Sequence, residues 1–417
     1  MPSKITRAVL RDDTILRLGG NGDNWFTTWA SDDTQLTAMC DGSGWPETPV
    51  RYFNTRLYRI IGDDPASARF EPLPGYPPLT NDPFAAGGVT RYYGLGTLAI
   101  GERVYQFLST YNKPVNPFGV PEEFPDDLRL VGVKLIYSPD GGATWHNQDG
   151  STPVTWDAWE GRSRETMLFF EEPQDAFSQI AVLQMGKGYE ANEDGYVYLY
   201  SQNGNTEGTM NQLVMCRVPK DRVLDRGAYE YFAAIDGDGA ASWTSDIEQR
   251  GVVHTFPSGW VNRTGHPWAW HPDVVYNAPL GVYMMASFGM GCSPDLHWFG
   301  KPSYLGLWTA PQPWGPWTQV CEEVAWTPGG DAAARNYRPG VLPKWISEDG
   351  RSFWLVWSDA QSSRGIDQLH EEAARLRETA SSAEEFLEQR LGLMPYYAFN
   401  TQRVDLVVAD DEADDPS

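Results

Sequence analysis

The chain lacks any long apolar run. No stretch of its 417 residues approaches the roughly 18 apolar residues of a membrane-crossing helix, so we expect no membrane contact. The N-terminus, Met-Pro-Ser-Lys-Ile-Thr-Arg, has no apolar core, and no signal peptide is visible. We therefore leave the localisation unknown: the protein stays in the cytoplasm, has lost a leader, or is exported by another route.

Cysteine and basic residues are also scarce. The four cysteines are scattered without metal-type spacing, and we interpret them as reduced core residues. Lys and Arg number 32 against 56 acidic residues, a formal net charge of −24, which argues against nucleic acid as a partner. His266 and His271 match no zinc spacing, so we predict no cofactor and no metal site. Structural calcium on channel-facing carboxylates stays open, although the chain has no dedicated calcium loop.

Phosphate loops, dinucleotide fingerprints and nucleophile elbows are absent from the sequence. Aromatic residues, by contrast, make up 13% of the chain, which suits a dense β core or stacking on sugar rings. One hairpin-like unit also recurs. Its two strand-like runs occupy residues 25–30 and 35–40, 91–100 and 104–110, 177–184 and 196–201, 272–276 and 282–287, and 338–343 and 352–358.

A third strand-like run follows four of these hairpins. Units of three to four strands at long, uneven spacing predict an all-β fold, a five-bladed β-propeller. Residues 369–391 instead show helical spacing, and we predict a small helical insertion in the last blade, at about 366–391. Residues 5–10 or 14–18 are expected to complete that blade, because a propeller must join its ends to hide its sheet edges. The propeller would span 1–408 as one domain, and 409–417 would form an acidic disordered tail.

The segment Ser138-Pro-Asp140-Gly-Gly142-Ala-Thr144-Trp145 fits the Asp-box pattern, Ser-x-Asp-x-Gly-x-Thr-Trp. In this hairpin turn the Asp accepts from backbone amides and the Trp packs between strands. We interpret it as structural and place it on the face away from the active site.

Two aspartates flank the first hairpin. Asp23 precedes its first strand and Asp41 follows its second, so both lie at the same end, as a carboxylate pair in a sugar cleft would. The alternative is that both aspartates only cap their own glycine-rich turns. Because the inner strands of a propeller converge on its axis, Asp273 should join the pair at the mouth of the channel.

We therefore predict that Asp23, Asp41 and Asp273 are catalytic. The aromatic, amide and basic side chains around them would bind substrate: Trp25, Trp45, Tyr92, Tyr93, Gln179, His271 and Arg338. Trp260, Trp268 and Trp270 belong to loops on the same face. Carboxylates in an aromatic-walled depression fit carbohydrate recognition and glycosidic cleavage.

Several segments also occur in a recognisable order. They are Gly22-Asp23-Asn24-Trp25, Thr28-Trp29-Ala30, Asp41-Gly42, residues 194–201 and 217–226, Ala310-Pro-Gln-Pro-Trp314-Gly-Pro-Trp317, and residues 343–351. In this the chain resembles a bacterial family long described only as a domain of unknown function, whose members include endo-D-arabinofuranosidases that cut D-arabinan. The resemblance implies a five-bladed propeller and a retaining hydrolase with a carboxylate nucleophile and a carboxylic acid. Asp23 and Asp41 stand at the acidic positions of the family's opening motif.

The first functional hypothesis is thus a glycosidase that cleaves furanosidic linkages of a polysaccharide or oligosaccharide. A retaining enzyme would hold its two carboxyl groups roughly 5–5.5 Å apart; we favour Asp23 as nucleophile, because a rigid inner strand fixes it best. The second is a non-catalytic glycan-binding propeller. The third is a polysaccharide lyase, with Tyr92, Tyr93 and His271 supplying base and acid.

Overall fold

The computed structural model describes residues 4–84, 89–114, 128–204, 210–256, 271–293, 299–362 and 366–409. His266, Trp260, Trp268, Trp270 and the tail residues 410–417 lie outside this part of the chain.

The described strands form five antiparallel sheets, arranged as the blades of a propeller. The chain begins with β1 (Ile5–Leu10) and β2 (Leu16–Arg17), which belong to the last blade. Blade 1 contains β3 (Thr27–Trp29), β4 (Gln35–Gly42), β5 (Tyr52–Ile61), β6 (Arg69–Pro72) and β7 (Leu79–Asn81). Blade 2 contains β8 (Tyr92–Ile100), β9 (Arg103–Tyr111), β10 (Leu130–Ser138), β11 (His146–Asn147) and β12 (Phe169–Phe170).

The second half of the chain repeats the scheme. Blade 3 contains β13 (Ala181–Val182), β14 (Tyr196–Gln202), β15 (Gln212–Pro219), β16 (Glu230–Ile235), β17 (Ala241–Thr244) and β18 (Val252–Thr255). Blade 4 contains β19 (Asp273–Asn277), β20 (Val282–Gly289), β21 (Tyr304–Ala310) and β22 (Thr318–Glu323). Blade 5 contains β23 (Asn336–Val341), β24 (Ser352–Asp359) and β25 (Asn400–Val408).

The first strands of the blades are neighbours around a common axis: β3 contacts β8, β8 contacts β13, β13 contacts β19, and β19 contacts β23. The predicted five-bladed β-propeller is confirmed. Its last blade is completed by the N-terminal segment, because both β1 and β2 pair with β25. Both of the runs considered for this role, 5–10 and 14–18, therefore contribute.

Two inner strands are shorter than the sequence predicts. β13 covers only two residues of the run 177–184, and β3 starts at Thr27 instead of at residue 25. Left-handed backbone stands on the N-terminal side of both strands, since φ is 56° at Phe177 and 58° at Asn24, and a non-glycine residue in that region does not continue a strand.

The helical insertion lies between β24 and β25 and consists of two helices, α1 (Ile366–Thr379) and α2 (Ala383–Leu391). Ser382 separates them, because its side chain accepts a hydrogen bond from the Glu385 amide at 3.2 Å and so caps α2. Phe386 and Leu387 of α2 are buried against Tyr52 of blade 1. In the described part of the chain no helix is long and apolar enough to cross a membrane.

The turn after β10 is held by Asp140. One carboxylate oxygen accepts from the Thr144 amide at 2.8 Å and the other from the Thr144 hydroxyl at 2.7 Å. The indole of Trp145 donates to the Gly142 carbonyl at 3.1 Å, and its ring is buried. The turn is therefore held by hydrogen bonds among its own residues, and its assignment as an Asp-box stays a prediction.

Candidate active site

Backbone pairing fixes Asp23 and Asp41 in adjacent positions. Asp23 forms an isolated antiparallel bridge with Cys40, with hydrogen bonds of 2.9 Å in both directions, and Asp41 follows Cys40 in β4. The bridge depends on close contact between the two segments. A Cβ at Gly42 would lie only 1.9 Å from the Asn21 carbonyl oxygen, so this position has room only for glycine.

The carboxyl group of Asp23 is enclosed. Its two oxygens accept hydrogen bonds from the Asn24 amide at 2.6 Å and from the Tyr337 hydroxyl at 2.8 Å, and the residue is 8% exposed. Burial, together with the charge of nearby Asp41, raises the pKa of Asp23 to about 7. A carboxyl in this state holds its proton close to neutral pH and can donate it.

Asp41 has a different environment. Its carboxylate forms a short ion pair with Arg91, whose side chain is 1% exposed, and also accepts from the Asn54 amide at 3.0 Å. Asp41 is therefore held by a buried cation, whereas the donors to the Asp23 carboxyl are a side-chain amide and a phenol hydroxyl.

Both aspartates line one pocket at the centre of the ring, where blades 1, 2, 4 and 5 meet. The pocket holds about 570 Å³ of empty space, its open mouth included. Its described lining consists of Asp23, Asn24, Asp41, Tyr93, Leu95, Tyr111, Leu130, Met290, Phe299, Tyr337 and Arg338. The lining therefore combines charged and amide side chains with aromatic and aliphatic ones, the mixture found in many ligand-binding pockets.

Three of the lining residues have left-handed backbone. The φ angles of Asn24, Asp41 and Arg338 are 58°, 51° and 54°. Each such non-glycine residue is disfavoured by about 1–3 kcal/mol, and residues of this kind cluster at functional sites because the surrounding structure holds them in place.

Arg338 lines the pocket and carries a buried donor. Its Nη2 lies 3.5 Å from the Gln179 oxygen, and Nη1 is buried without a hydrogen-bond partner among the described residues. Burial lowers the pKa of Arg338 to about 10, and the side chain stays charged at neutral pH. A buried donor without a partner is costly unless a ligand satisfies it.

The structure brings four of the predicted site residues into the pocket: Asp23, Asp41, Tyr93 and Arg338. Tyr93 packs edge-on against Tyr111, with ring centroids 5.4 Å apart. Gln179 is buried and reaches the pocket through Arg338. The catalytic and binding roles assigned to these residues stay predictions.

The other predicted residues lie outside the described lining. Asp273, expected at the channel mouth, is buried inside the ring, where burial raises its pKa to about 7. Its carboxyl accepts from the Val341 amide at 2.6 Å and so ties β19 to β23. His271 is also enclosed, with its ring 4.5 Å from that of Phe26, and burial lowers its pKa.

The aromatic residues outside the lining make contacts within and between blades. The Trp25 indole donates to the Ser358 hydroxyl at 2.8 Å, and the Trp45 ring stacks on Phe70 at 3.9 Å. The Tyr92 hydroxyl donates to the Asp157 carbonyl at 2.7 Å. The observed contacts of all three are therefore made within the protein, and their substrate contacts stay predictions.

Sequence reasoning missed the partners of the two carboxyl groups. Tyr337 reaches Asp23 from blade 5, and Arg91 reaches Asp41 from blade 2. One signal was available for Arg91, because it stands at the start of the first strand-like run of its blade, at the end where Asp23 stands in blade 1. In the described residues no cluster of three His, Cys, Asp or Glu side chains could hold a metal ion.

No protein-family model matches the chain, and no curated protein does. Solved structures do. The catalytic domain of the Coprinopsis cinerea GH62 alpha-L-arabinofuranosidase is 10% identical, with 98% of this chain and 99% of that one covered and a TM-score of 0.43. An alpha-L-arabinofuranosidase from Podospora anserina is 10% identical, with 94% and 95% covered and a TM-score of 0.41.

The xylan beta-1,4-xylosidase from Bacillus Halodurans C-125 is 9% identical, with a TM-score of 0.44. The match covers 83% of this chain and 51% of that chain, so this chain spans about half the length of the xylosidase. At these identities the likeness concerns the fold alone.

Proposed function

We propose that this protein is a glycoside hydrolase that cleaves furanosidic linkages of a polysaccharide or oligosaccharide with retention of configuration. The observation that carries the proposal is the pair of carboxyl groups in the central pocket. Both come from the end of one hairpin. The Asp23 carboxyl is enclosed and has a pKa of about 7, and the Asp41 carboxyl is paired with the buried Arg91. Glycosidases need this combination at one site, and retention is proposed on the strength of the family resemblance.

The environments favour the reverse of the roles that the sequence favoured, with Asp41, which is paired with Arg91, as the nucleophile and Asp23 as the acid. In the first step Asp41 attacks the anomeric carbon while the glycosidic C–O bond breaks, and Asp23 gives its proton to the leaving oxygen. A glycosyl ester on Asp41 and a free alcohol result. In the second step the Asp23 carboxylate removes a proton from water, and the water oxygen displaces Asp41 from the anomeric carbon.

The remaining lining residues would hold the sugar. Nη1 of Arg338 would donate to a sugar hydroxyl, and the ring of Tyr93 together with the apolar side chains opposite it would cover the faces of the furanose. On the strength of the ordered sequence motifs, we further propose D-arabinan as the polymer and internal linkages as the cleavage points.

The test is release of new reducing ends from a panel of furanose polysaccharides, D-arabinan included, by wild type, Asp23→Asn and Asp41→Asn. We expect cleavage of one polymer by wild type, and a loss of about 10³-fold or more in either variant. NMR of the first product should show the configuration of the substrate. Asp140→Asn, altered in the turn after β10, is the matched control and should cleave at the wild-type rate.

Two outcomes would overturn the proposal. If wild type binds glycan but releases no product during long incubation, the protein is a binding module. If the products carry an unsaturated uronate that absorbs in the near ultraviolet, it is a lyase.

A further inference from the structure

The Asp23 carboxyl is held from two blades. Asn24, its neighbour in blade 1, donates to one oxygen, and Tyr337 on β23 of blade 5 donates to the other. Tyr337 is 314 positions away in the sequence, is 8% exposed and lines the pocket itself. The hydroxyl therefore reaches Asp23 from the neighbouring blade, at the point where the ring closes.

The Tyr337 ring is fixed by its neighbours. Phe299 lies 5.1 Å away at an interplanar angle of 57°, and Tyr397 lies 6.5 Å away in a stacked arrangement. Phe299 lines the same pocket, and its carbonyl accepts from Arg335 at 2.6 Å. The phenol therefore keeps its direction toward Asp23 without support from a ligand.

We propose that Tyr337 is a positioning residue of this site: its hydroxyl orients Asp23 toward the leaving oxygen and stabilises the carboxylate that remains after the proton is given. This inference rests on the proposed function and adds a residue that acts through Asp23. A group held within a few tenths of an ångström by its supporting contacts donates its proton more effectively than a mobile one.

Charged and titratable groups face Asp23 from several elements. Asp41 on β4 repels its charge, as would the Cys40 thiol if ionised, whereas Arg338 on β23 attracts it. The Tyr337 and Tyr397 hydroxyls also stabilise the ionised form. Because the Tyr337 hydrogen bond lowers the pKa of Asp23 against the effect of burial, its loss should raise that pKa further.

The experiment compares wild type with Tyr337→Phe and uses Tyr229→Phe as the matched control. The Tyr229 hydroxyl donates at 2.7 Å to the Val223 carbonyl, and the residue is buried in blade 3 away from the pocket. Two quantities are measured: the pH dependence of kcat/KM on the cleaved polymer, and the titration of the Asp23 carboxyl by carbon NMR.

For Tyr337→Phe we expect the alkaline limb of the pH profile and the NMR midpoint to move up by about one pH unit. We also expect kcat on the plateau to fall about tenfold or more. Tyr229→Phe should coincide with wild type in both measurements. A packing role alone would lower stability and leave the limb in place, and that result would overturn the inference.

The two proposals fail in different ways. If wild type cleaves no furanoside, the proposed function fails, and the NMR midpoint alone then decides whether the hydroxyl controls Asp23. A midpoint that is unchanged in Tyr337→Phe overturns the inference whatever the activity. A shift of the acidic limb instead of the alkaline limb also overturns it, because Asp23 would then act as the ionised group.

Discussion

Asp23, the buried acid, should lower the stability of the folded protein at the pH values where its carboxyl is ionised. The ordinary pKa of an Asp is 3.8, and burial beside Asp41 raises that of Asp23 to about 7. A folded-state pKa above the unfolded value means that the contribution to stability is complete below pH 3.8 and is lost as the pH rises through 7. We therefore expect Asp23→Asn to make the protein more stable at alkaline pH.

The magnitude follows from the same values. The difference of about three pKa units corresponds to up to about 4 kcal/mol, at roughly 1.4 kcal/mol per unit. An Asn side chain fits the existing contacts: its oxygen accepts from Asn24, and its amide donates to the Tyr337 hydroxyl, which rotates to accept. The gain in the free energy of unfolding should therefore reach about 2–4 kcal/mol at pH 8.5 and vanish near pH 4.

The assay is urea unfolding followed by tryptophan fluorescence at pH 4, 6 and 8.5, for wild type, Asp23→Asn and Asp140→Asn. Asp140 tests the sign of the argument, because hydrogen bonds from Thr144 lower its pKa. Its contribution is present above the unfolded pKa of 3.8 and is lost only as the pH falls through the lowered folded-state pKa, so Asp140→Asn should be less stable than wild type at all three pH values. Equal differences between Asp23→Asn and wild type at all three pH values would refute the reasoning.

Two further changes test the contacts around the site and the blade that carries Asp140. Asp140→Ala should lower the free energy of unfolding by about 1–2 kcal/mol, at the low end for a hydrogen-bonded turn because the side chain is exposed. The folded fraction should keep its specific activity. Loss of activity without destabilisation would show that Asp140 does not lie on the face away from the active site. Arg91→Met should lower the free energy of unfolding by about 3 kcal/mol, because it leaves the Asp41 carboxylate without its buried partner. Denaturant midpoints of Arg91→Met and Arg91→Lys are compared with that of wild type. A midpoint of Arg91→Lys close to wild type would show that a positive charge alone restores the stability.

The fold could be predicted from the sequence because the pattern that indicates it, a pair of strand-like runs, is local and is repeated along the chain. Each blade carries an apolar or alternating pair of runs around a turn, and five such pairs leave little room for another architecture. The exceptions are also local. The left-handed backbone of Phe177, inside the predicted run 177–184, and of Asn24, just before the run 25–30, has no signal in the sequence. Strands assigned from composition alone therefore come out too long beside these two positions.

The residues that line the pocket could be predicted from the sequence only in part. Asp23 and Asp41 flank one hairpin, so a local pattern is enough to bring them together. Trp25 looks the same in sequence whether its indole faces a ligand or, as observed, a serine 333 positions away. Tyr337 is comparably distant from Asp23, and only the closed ring brings such residues into contact.

The closure of blade 5 has a consequence for how the ring is assembled. The Thr6 hydroxyl donates to the Val407 carbonyl, 401 positions away, and the Ala409 amide donates to the Lys4 carbonyl at 2.9 Å. Because these two points are adjacent, a short peptide joining them would permit circular permutation, with new ends opened in a loop between two blades. In such a permutant every blade would be continuous in the chain, and contacts of very high sequence separation would be fewer. Folding should therefore be faster than in the natural order, in which the last blade is completed by strands from the beginning of the chain.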